Sequence, residues 1–334
     1  MAGSSRINIL FTCVGRRYEL VQAFRAAAKR LGVDLFLLGT DANPLSPALF
    51  ACDKHVITRP IADPDYIPQI LELVREHRID LVIPTIDTEL KHLATHRQEF
   101  QDAGARVLVS DLDVIEICQD KRRTYRFLRE HGFGAPETRE LGEVDASKLT
   151  YPVFLKPWNG SASKGNAVAR DEEEFGYWSK RVPHCIVQPY LEGQEYTSDV
   201  YVDFQMAVRC VVPRRRIEVR GGEVSKGQTA RIPALIEQCT RLVEALGAGP
   251  GVITIQAFVT LEGEIRFIEV NPRFGGGAPL SIEAGADFPS WIIQETLGAK
   301  PRIRTDGWKD GLCMLRYDAA VWIDRNSGQT GQGT

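Results

Sequence analysis

The most informative stretch of the chain for chemistry runs from Val252 to Gly277, where polar side chains interrupt two apolar segments. The alternation on either side of Glu262-Gly263 predicts two strands joined by a tight turn. If that turn is a two-residue hairpin, Gln256 falls opposite Glu269, and Asn271 points to the same face as Glu269. Carboxylate and amide oxygens of this kind suit Mg²⁺, which binds a few protein oxygens together with substrate phosphates.

An ordinary amphipathic hairpin is the alternative interpretation of this stretch, since carboxylates are common on solvated strand faces. Against it, Glu269 and Asn271 interrupt a run that otherwise favours burial, Phe267 to Val270. Arg273 lies just beyond, and Gly275-Gly276-Gly277 comes next. Those glycines either bring backbone amides close to a substrate carboxylate or simply permit a sharp turn, and both interpretations stay open.

A second group of candidate residues surrounds a loop of small residues, Asn159 to Gly165, that joins two predicted strands. Small residues let backbone amides approach phosphate oxygens closely, and serine hydroxyls add donors. The loop differs from the P-loop pattern because no helix follows it, so a flexible hairpin tip is the alternative. Lys156, at the end of the preceding strand, favours an anion site. Lys121 offers a second cation at the N-terminus of a helix that we predict over Thr124–His131.

The N-terminal third of the chain alternates short apolar strands with amphipathic helices. We predict strands at Ile7–Thr12, Val33–Gly39, His55–Thr58, Asp80–Thr85 and Ala105–Ser110, and helices at Tyr18–Leu31, Tyr66–His77 and Glu89–Gln101. This alternation implies right-handed crossovers and a parallel sheet. In such sheets ligands bind at the carboxyl ends of the strands, so residues that follow the strands become candidate substrate contacts.

Candidates at those strand ends are the turn Gly15-Arg16-Arg17, Asp41 and Asp87. The turn opens a helix, so its amides and guanidinium groups could hold an anionic group, unless the arginines simply face solvent. It does not match the G-x-G-x-x-G fingerprint, so a dinucleotide cofactor is not indicated. Asp87 either faces the cleft or caps the helix that follows it.

Beyond Asp111 the pattern changes to antiparallel strands with packed helices, an α+β arrangement. The predicted elements include strands at Tyr196–Phe204, Met206–Pro213 and Ile217–Arg220, and a helix at Ala234–Leu246. The basic run Arg214-Arg215-Arg216 predicts a solvated strand face, with steering of an anionic substrate as the alternative. Lys226 and Arg231 either neutralise an anionic intermediate or lie on the surface of a mobile loop.

Composition excludes several classes of function. The chain has 334 residues and a formal net charge of -3 without a long basic block, so neither nucleic acid nor a membrane surface is an expected partner. Its seven cysteines are scattered and never form C-x-x-C, which is the usage of a reduced cytosolic protein. Because the sequence shows no signal-peptide pattern and no apolar run of transmembrane length, we expect a cytoplasmic protein.

Four motifs follow one another in a specific order along the chain. They are Asp120-Lys121 with a helix behind it, FLKP with the glycine-serine loop, VQPYLEGQEYT, and IEVNPR. In this order they resemble the ATP-grasp superfamily, and most closely one synthetase unit of the carbamoyl-phosphate synthase large subunit and its stand-alone relatives. The resemblance extends from about Ile7 to Lys300 and includes the parallel-sheet domain.

The resemblance implies contacts to the phosphates of ATP. Lys121 and Lys156 match the lysines that bind these phosphates, and Arg273 matches the arginine that touches the transferred phosphoryl group. Lys156 and Arg273 are therefore the expected catalytic residues. The segment 160–165 matches the flap that closes over the phosphates, and its expected contacts are Gly160, Ser161, Ala162 and Ser163.

The resemblance also implies sites for the rest of the nucleotide and for the metal, and the candidate substrate contacts follow from the positions described above. Residues matching the adenine-binding segment are Gln188, Tyr190 and Leu191, and Glu195 matches the acid that receives the ribose hydroxyls. The residues that match the magnesium ligands are Gln256, Glu269 and Asn271, with Mn²⁺ as an alternative ion. Substrate contacts are expected among Gly15, Arg16, Asp87, Lys226, Arg231, Gly275 and Gly276.

The architecture implied is an α/β N-terminal parallel-sheet domain of the pre-ATP-grasp, Rossmann-like type, followed by an α+β ATP-grasp fold of two lobes. We expect the first domain at residues 1–112. The small lobe with its connecting helix is expected at 113–190, the large lobe at 191–325 and a disordered tail at 326–334.

The activity implied is that of an ATP-dependent carboxylate–amine or carboxylate–thiol ligase that forms an acyl-phosphate and releases ADP and phosphate. A small carboxylic acid and an amine are the expected substrates, and a homodimer is the default assembly. Two alternatives stay open, namely a kinase or carboxylate-phosphorylating enzyme of the same fold and a non-catalytic nucleotide-binding regulator. The chain has room for one grasp unit where a complete carbamoyl-phosphate synthase large subunit carries two, so we do not expect it to make carbamoyl phosphate alone.

Overall fold

The structure, a computed structural model, describes residues 5–160 and 164–324. Its N-terminal part is a parallel sheet with the order β3-β2-β1-β4-β5, formed by β1 (Arg6–Thr12), β2 (Asp34–Asp41), β3 (Lys54–Ile57), β4 (Leu81–Pro84) and β5 (Arg106–Val107). Parallel neighbours need crossover connections. These contain α1 (Tyr18–Leu31), a 3₁₀ helix (Pro47–Ala51), α2 (Tyr66–His77), α3 (Asp87–Thr95) and α4 (Arg97–Asp102). The predicted α/β parallel-sheet domain is confirmed.

Two predicted elements of this domain need correction. The helix expected over Glu89–Gln101 begins earlier, at Asp87, and is divided into α3 and α4 at His96. The last strand, expected over Ala105–Ser110, pairs only over Arg106–Val107. The early start of α3 matters for the site, because it makes Asp87 the first helical residue after β4.

Two helices, α5 (Leu112–Gln119) and α6 (Lys121–Glu130), lead out of this domain. The sequence predicts α6 only from Thr124, but the helix begins three residues earlier because the Asp120 side chain accepts a hydrogen bond from the backbone N–H of Arg122. Lys121 therefore occupies the first turn of α6, where its side chain can reach the loop after Trp158.

The next segment forms an antiparallel sheet with the order β6-β9-β7-β8. Its elements are β6 (Arg139–Glu140), two 3₁₀ helices (Leu141–Glu143 and Ala146–Lys148), β7 (Val153–Pro157), β8 (Ala167–Ala169), α7 (Glu172–Trp178) and β9 (Cys185–Pro189). A small core of its own, with Leu155 and Phe175, holds α7 against this sheet.

The remaining part is an antiparallel sheet with the order β14-β13-β10-β11-β12-β15. Its elements are β10 (Gly193–Val202), β11 (Val208–Arg220), β12 (Glu223–Thr229), α8 (Pro233–Leu246), β13 (Gly251–Thr260), β14 (Ile265–Asn271), α9 (Ala278–Glu283), α10 (Phe288–Thr296) and β15 (Cys313–Leu315). The two strands expected at Met206–Pro213 and Ile217–Arg220 are one continuous strand, β11.

The large sheet has two chemically different faces because its side chains alternate. One face packs α8 over a core that contains Val200, Ile253 and Ile255. The other face has an apolar part, with Tyr201, Val212 and Val252, that packs with the N-terminal domain, and a polar part that lines a cleft. A separate core joins the N-terminal domain to this part of the molecule, since Phe24 of α1 lies in one cluster with Phe274.

Within the part of the chain that the structure describes, no helix is long and apolar enough to cross a membrane.

Candidate active site

A cleft of about 1500 Å³ opens between the three sheets. It is bordered by the turn after β4, the junction of α5 and α6, the end of β7, the connection from β9 to β10, and the polar face of the large sheet. Side chains two apart on a strand share a face, so the alternation of β10, β13 and β14 decides which residues line this cleft.

The register between β13 and β14 brings Gln256 opposite Glu269, as the sequence predicts. The expected two-residue turn is nevertheless wrong. The loop has three residues, 261–263, closed by a hydrogen bond from the Thr260 N–H to the Glu264 carbonyl oxygen. A register shift between Gln256 and Ala257 leaves Ile268 as an extra residue, which restores the expected pairing beyond it.

Gln256, Glu269 and Asn271 all line the cleft. The Asn271 amide satisfies both its ends when its nitrogen faces two carboxylates, donating to Glu269 Oε1 at 3.3 Å and to Asp87 Oδ1 at 3.0 Å. Its oxygen then points away from them. One carboxylate and two amide oxygens form a donor set that fits Mg²⁺. Elsewhere in the described residues, no group of three or more His, Cys, Asp or Glu side chains could hold a metal.

Lys121 and Lys156 stand on the opposite wall of the cleft. The Lys121 ammonium donates to the carbonyl oxygen of Gly160 at 2.6 Å, which fixes it beside the start of the small-residue loop. Lys156 is 6% exposed. Burial and the neighbouring charge of Lys121 lower the pKa of Lys156 to about 8, although Glu269 and Glu195 oppose this shift. Two cations held so close together form a site that favours an added anion.

The residues expected around the adenine and ribose border the same cleft. Gln188 is buried and donates through Nε2 to Thr138 Oγ1 at 2.7 Å, while Tyr190 is half exposed. Glu195 is paired with Arg216, whose Nε lies 3.1 Å from Glu195 Oε1. Burial raises the pKa of Glu195 and Glu269 adds to the rise, while Arg216 and Lys156 oppose it.

The basic run on β11 is not the solvated face that the sequence predicts. Arg214 is 1% exposed and its Nε and Nη2 bind the carboxylate of Asp199 at 2.7 and 3.0 Å. Ser281 donates to the same carboxylate at 2.6 Å. Only Arg215 points outward, because alternate residues of a strand lie on opposite faces. Arg214 and Arg216 both line the cleft.

Two of the three glycines after Arg273 lie directly against arginine side chains, and the third lies against Thr254. A Cβ at Gly277 would lie 2.1 Å from Arg214 Nη1, and one at Gly276 would lie 2.8 Å from Arg17 Nη1. At Gly275, a Cβ would meet the Thr254 side chain at 2.9 Å. The glycine loop thus allows the backbone to pass directly over guanidinium groups, a reason that neither of the two sequence interpretations included.

The turn after β1 contributes Arg17 to the cleft rather than Gly15 or Arg16. Arg17 Nη1 lies 2.8 Å from Glu223 Oε1, whereas Arg16 is largely exposed and 3.5 Å from the same carboxylate. The Gly15 N–H donates to Asp41 Oδ2 at 2.8 Å, so Asp41 stabilises the turn. Burial lowers the pKa of Arg17, Glu223 opposes this shift, and Arg273 adds to it.

Asp87 also faces the cleft and forms an ion pair with Arg273. This pair joins the N-terminal domain to the end of β14. The capping alternative is wrong for its side chain, because the residue before α3 is Ile86 and the helix has no side-chain cap.

Two further candidate substrate residues, besides Gly15 and Arg16, are not among the residues that line the cleft. Lys226 pairs with Glu218 at 2.8 Å on the outer part of β12. The Arg231 guanidinium donates to the carbonyl oxygens of Asp306 and Trp308 and stacks on the Trp308 ring. Their charges are therefore engaged in local structure. Ser161, Ala162 and Ser163 lie outside the residues that the structure describes.

Sequence reasoning missed Glu223 as a cleft residue, and it gave contact of Arg214 and Arg216 with an anionic substrate only as the alternative to a solvated strand face. The signal that could have found the two arginines is their two-residue spacing on a strand that also carries Val212 inside. Residues two apart on a strand point to the same face, so a buried Val212 predicts that Arg214 and Arg216 also point inward. Glu223 gave no such signal, since the sequence predicts no strand at β12.

The fold and the cleft together define a class: a parallel α/β domain followed by an ATP-grasp fold built on two antiparallel sheets. The profile of the PylC-like N-terminal domain matches residues 9–108, and that of the ATP-grasp domain matches residues 118–277. Residues 118–277 thus form an ATP-grasp domain, preceded by a PylC-like N-terminal domain.

Among curated proteins, the carbamoyl phosphate synthase large chain of Clostridium beijerinckii is 26% identical over 299 residues, which is 82% of this chain and 27% of that protein. The chain thus spans about a quarter of the length of this relative. Similar solved structures include the biotin carboxylase domain of Hydrogenobacter thermophilus 2-oxoglutarate carboxylase with MgADP, with a TM-score of 0.71, 18% identity and coverage of 91% and 73%. The L-amino acid ligase from Bacillus licheniformis has a TM-score of 0.68, 20% identity and coverage of 87% and 74%. At these identities the structures show the shared fold alone.

Proposed function

We propose that this protein is a magnesium-dependent ATP-grasp ligase that activates a small carboxylic acid as its acyl-phosphate and passes the acyl group to an amine. One observation carries the proposal. Two lysines, one of them buried with a lowered pKa, face an oxygen-donor set and an arginine across a single cleft. Such an arrangement suits charge neutralisation in phosphoryl transfer, which needs positioning and electrostatics more than covalent chemistry.

On the nucleotide side, Lys121 and Lys156 bind phosphate oxygens, and Lys156 keeps its proton when an anion arrives. The base is bordered by Gln188, Tyr190 and Leu191. The Glu195 carboxylate separates from Arg216 and accepts hydrogen bonds from the ribose hydroxyls. The segment that the family resemblance assigns to a flap, 160–165, would exclude water once the nucleotide is bound, because an acyl-phosphate hydrolyses readily. These roles agree with the position of the residues around one cleft.

Gln256, Glu269 and Asn271 would hold the magnesium ion. When bound, the ion neutralises negative charge on the phosphate oxygens. The three side chains lie on one face of β13 and β14 and line the same cleft.

On the substrate side, the charge of the cleft supports an acid. Arg17 and Arg316 are largely buried. Arg17 pairs with Glu223 at 2.8 Å, whereas Arg316 pairs with Glu19 at 3.0 Å as well as with Glu223 at 3.5 Å. Burial alone would raise the pKa of Glu223, but the charges of Arg17, Arg16 and Arg316 outweigh it and lower this pKa. Glu223 therefore stays ionised. The Nε atoms of Arg17 and Arg316 are buried without a hydrogen-bond partner among the described residues. A substrate carboxylate between Arg17 and Arg273, which both line the cleft, would gain charge-assisted hydrogen bonds.

The proposed reaction has two steps. A carboxylate oxygen of the acid attacks the γ-phosphorus of ATP, the bond to the β,γ-bridging oxygen breaks, and ADP leaves. Arg273 stabilises the negative charge on the transferred group. The amine nitrogen then attacks the acyl carbon, inorganic phosphate departs, and the amine loses a proton to give the amide.

The test is ADP release with Mg²⁺ and ATP in the presence of pooled carboxylic acids and amines, followed by mass analysis of the products. We expect ADP together with a new amide mass, which identifies both substrates. Transfer of ¹⁸O from the acid carboxylate to phosphate would identify the acyl-phosphate step.

Glu269→Ala is the matched loss-of-function variant, since removal of one transition-state contact often costs about 3 kcal/mol, a rate loss of roughly a hundredfold. Full turnover in Glu269→Ala would overturn the proposal. ADP without an adduct would instead indicate a phosphorylating enzyme. Nucleotide binding with no ADP release across the panel would indicate a non-catalytic regulator.

A further inference from the structure

Asp87 contacts two side chains of the large sheet at once. Its Oδ2 accepts from Arg273 Nη2, and its Oδ1 lies 3.0 Å from the Asn271 nitrogen when that amide is oriented toward the carboxylates. Asp87 belongs to the N-terminal domain, whereas Asn271 and Arg273 stand at the end of β14. The aspartate and arginine side chains are 20% and 14% exposed, so this contact lies inside the cleft.

The contact decides which end of the Asn271 amide faces the nucleotide. An amide nitrogen is a donor and cannot coordinate a metal ion, whereas the amide oxygen can. With its nitrogen held by Asp87 and by Glu269 at 3.3 Å, Asn271 presents its oxygen away from both carboxylates. The two orientations of the Asn271 amide have nearly the same shape. Without Asp87, only the Glu269 carboxylate would hold the amide nitrogen on this side.

Among the residues that the structure describes, the carboxylate of Asp87 makes no hydrogen bond within its own domain. It does not cap α3, because Ile86 precedes that helix and no side chain caps it. The contact of Asp87 with α5 is made by its backbone carbonyl oxygen, which accepts from Gln119 Nε2 at 2.7 Å. Within the described residues, its side-chain oxygens serve Asn271 and Arg273.

We propose that Asp87 is the positioning residue of the metal and phosphoryl site. It orients the Asn271 oxygen toward the metal and fixes the Arg273 guanidinium beside the transferred group, so that the N-terminal domain completes the site on the large sheet. The inference rests on the proposed function, specifically on a magnesium site at Gln256, Glu269 and Asn271.

The test is Mn²⁺ binding in the presence of ADP, measured from the electron paramagnetic resonance signal of free Mn²⁺. Asp87→Asn has the same shape but places a donor where an acceptor is needed. We expect Mn²⁺ to bind at least tenfold more weakly to this variant in the presence of ADP. Binding of ADP in EDTA should stay within twofold of the unchanged protein, which shows that the variant is folded.

Two further variants separate positioning from simple packing. Asp87→Glu keeps two acceptor oxygens and should bind Mn²⁺ more tightly than Asp87→Asn, whereas a packing role would favour the isosteric asparagine. The double variant of Asp87→Asn with Asn271→Ala should bind Mn²⁺ no more weakly than Asn271→Ala alone. Both changes remove the same contact, between Asp87 and Asn271, so their effects should not add. Asp111→Asn, which breaks an exposed ion pair with Arg97 in the same domain, should have no effect.

Each outcome decides the inference. Asp87→Asn with unchanged Mn²⁺ affinity, while Glu269→Gln loses it, would overturn the role of Asp87 and leave the metal site standing. Unchanged Mn²⁺ affinity in Glu269→Gln would overturn the metal site itself and the inference with it. If Asp87→Asn does not fold, the Mn²⁺ affinity of Asp87→Glu decides the question. An affinity of Asp87→Glu for Mn²⁺ below that of Asn271→Ala would contradict the proposal.

Discussion

The buried charge of Lys156 destabilises the folded protein when no nucleotide is bound. Its pKa of about 8 lies below the ordinary value of 10.5, chiefly because burial disfavours the ammonium form. At pH 7 the lysine is charged in both the folded and the unfolded protein, and the folded protein carries the full cost. This cost decreases as pH rises from about 8, because the folded form loses its proton before the unfolded form does.

Lys156→Met should therefore stabilise the nucleotide-free protein while weakening nucleotide binding. The pKa difference corresponds to about 3 kcal/mol at pH 7. Urea unfolding at pH 7 and pH 10 measures the gain, which should shrink at the higher pH. ADP affinity of the same variant should fall by at least tenfold.

Lys226→Met is the matched control, since that lysine pairs with Glu218 outside the cleft. It should change neither the free energy of unfolding nor ADP affinity by much. A Lys156→Met protein that is less stable at pH 7 would contradict the inferred cost.

Asp199 and Arg214 form the most deeply buried ion pair in the described part of the chain, with both side chains at 1% exposure or less. Removing one partner of such a pair leaves an uncompensated buried charge, which costs about 3–5 kcal/mol. Asp199→Ala should reduce the free energy of unfolding by this amount in urea denaturation. The double variant of Asp199→Leu with Arg214→Met should recover most of the loss, because no charge is left buried.

The alternative for this pair is that it contributes little in the folded protein. In that case Asp199→Ala would cost under about 1 kcal/mol, as exposed pairs do, and the double variant would show no recovery.

At the scale of the element, the glycine loop after β14 should be intolerant of any side chain. Gly277→Ala would place a methyl group 2.1 Å from Arg214 Nη1, and the guanidinium cannot retreat because Asp199 holds it. We expect a loss of about 2–3 kcal/mol, in the range of overpacked cores. Gly142→Ala should be close to neutral, because a Cβ there meets nothing within 4 Å. Equal melting temperatures for the two variants would contradict this account.

Elements with a strong period were predictable from the sequence. Both α1 and α2 begin and end at the predicted residues, because their apolar positions recur at helical spacing and the chain after α1 turns at Gly32 with φ of 66°. The pairing of Gln256 with Glu269 was also predictable, although for a partly wrong reason. The loop has one residue more than expected and the strand carries one extra residue at Ile268, so the two errors cancel in register.

What the sequence could not predict depends on contacts between distant segments. Nothing in the sequence near Arg214 indicates that Asp199 will pair with it or that Ser281 will bind the same carboxylate. A buried arginine therefore cannot be distinguished from a solvated one by local sequence. Helix α5 was missed because its eight residues are too few to establish a period. Asp87 was named as a candidate, but its partner Arg273 lies 186 residues away.

At the scale of the whole molecule, the N-terminal domain and the large sheet share one core. Phe24 of α1 packs edge-on against Phe274 with ring centroids 6.1 Å apart, and both belong to a cluster that also includes Trp291 of α10. The smaller sheet has a separate core around Phe175. We therefore expect the first two parts to unfold together and the smaller sheet to respond independently.

Phe274→Ala tests this coupling through amide hydrogen exchange. Removing a buried phenylalanine costs about 3–5 kcal/mol, and the loss should appear as faster exchange in α1 as well as in the large sheet. Phe175→Ala should speed exchange in β7 to β9 while leaving α1 unchanged. If exchange in α1 were unaffected by Phe274→Ala, the two parts would be separate folding units, and Asp87 would then reach Arg273 across an interface rather than from within a common body.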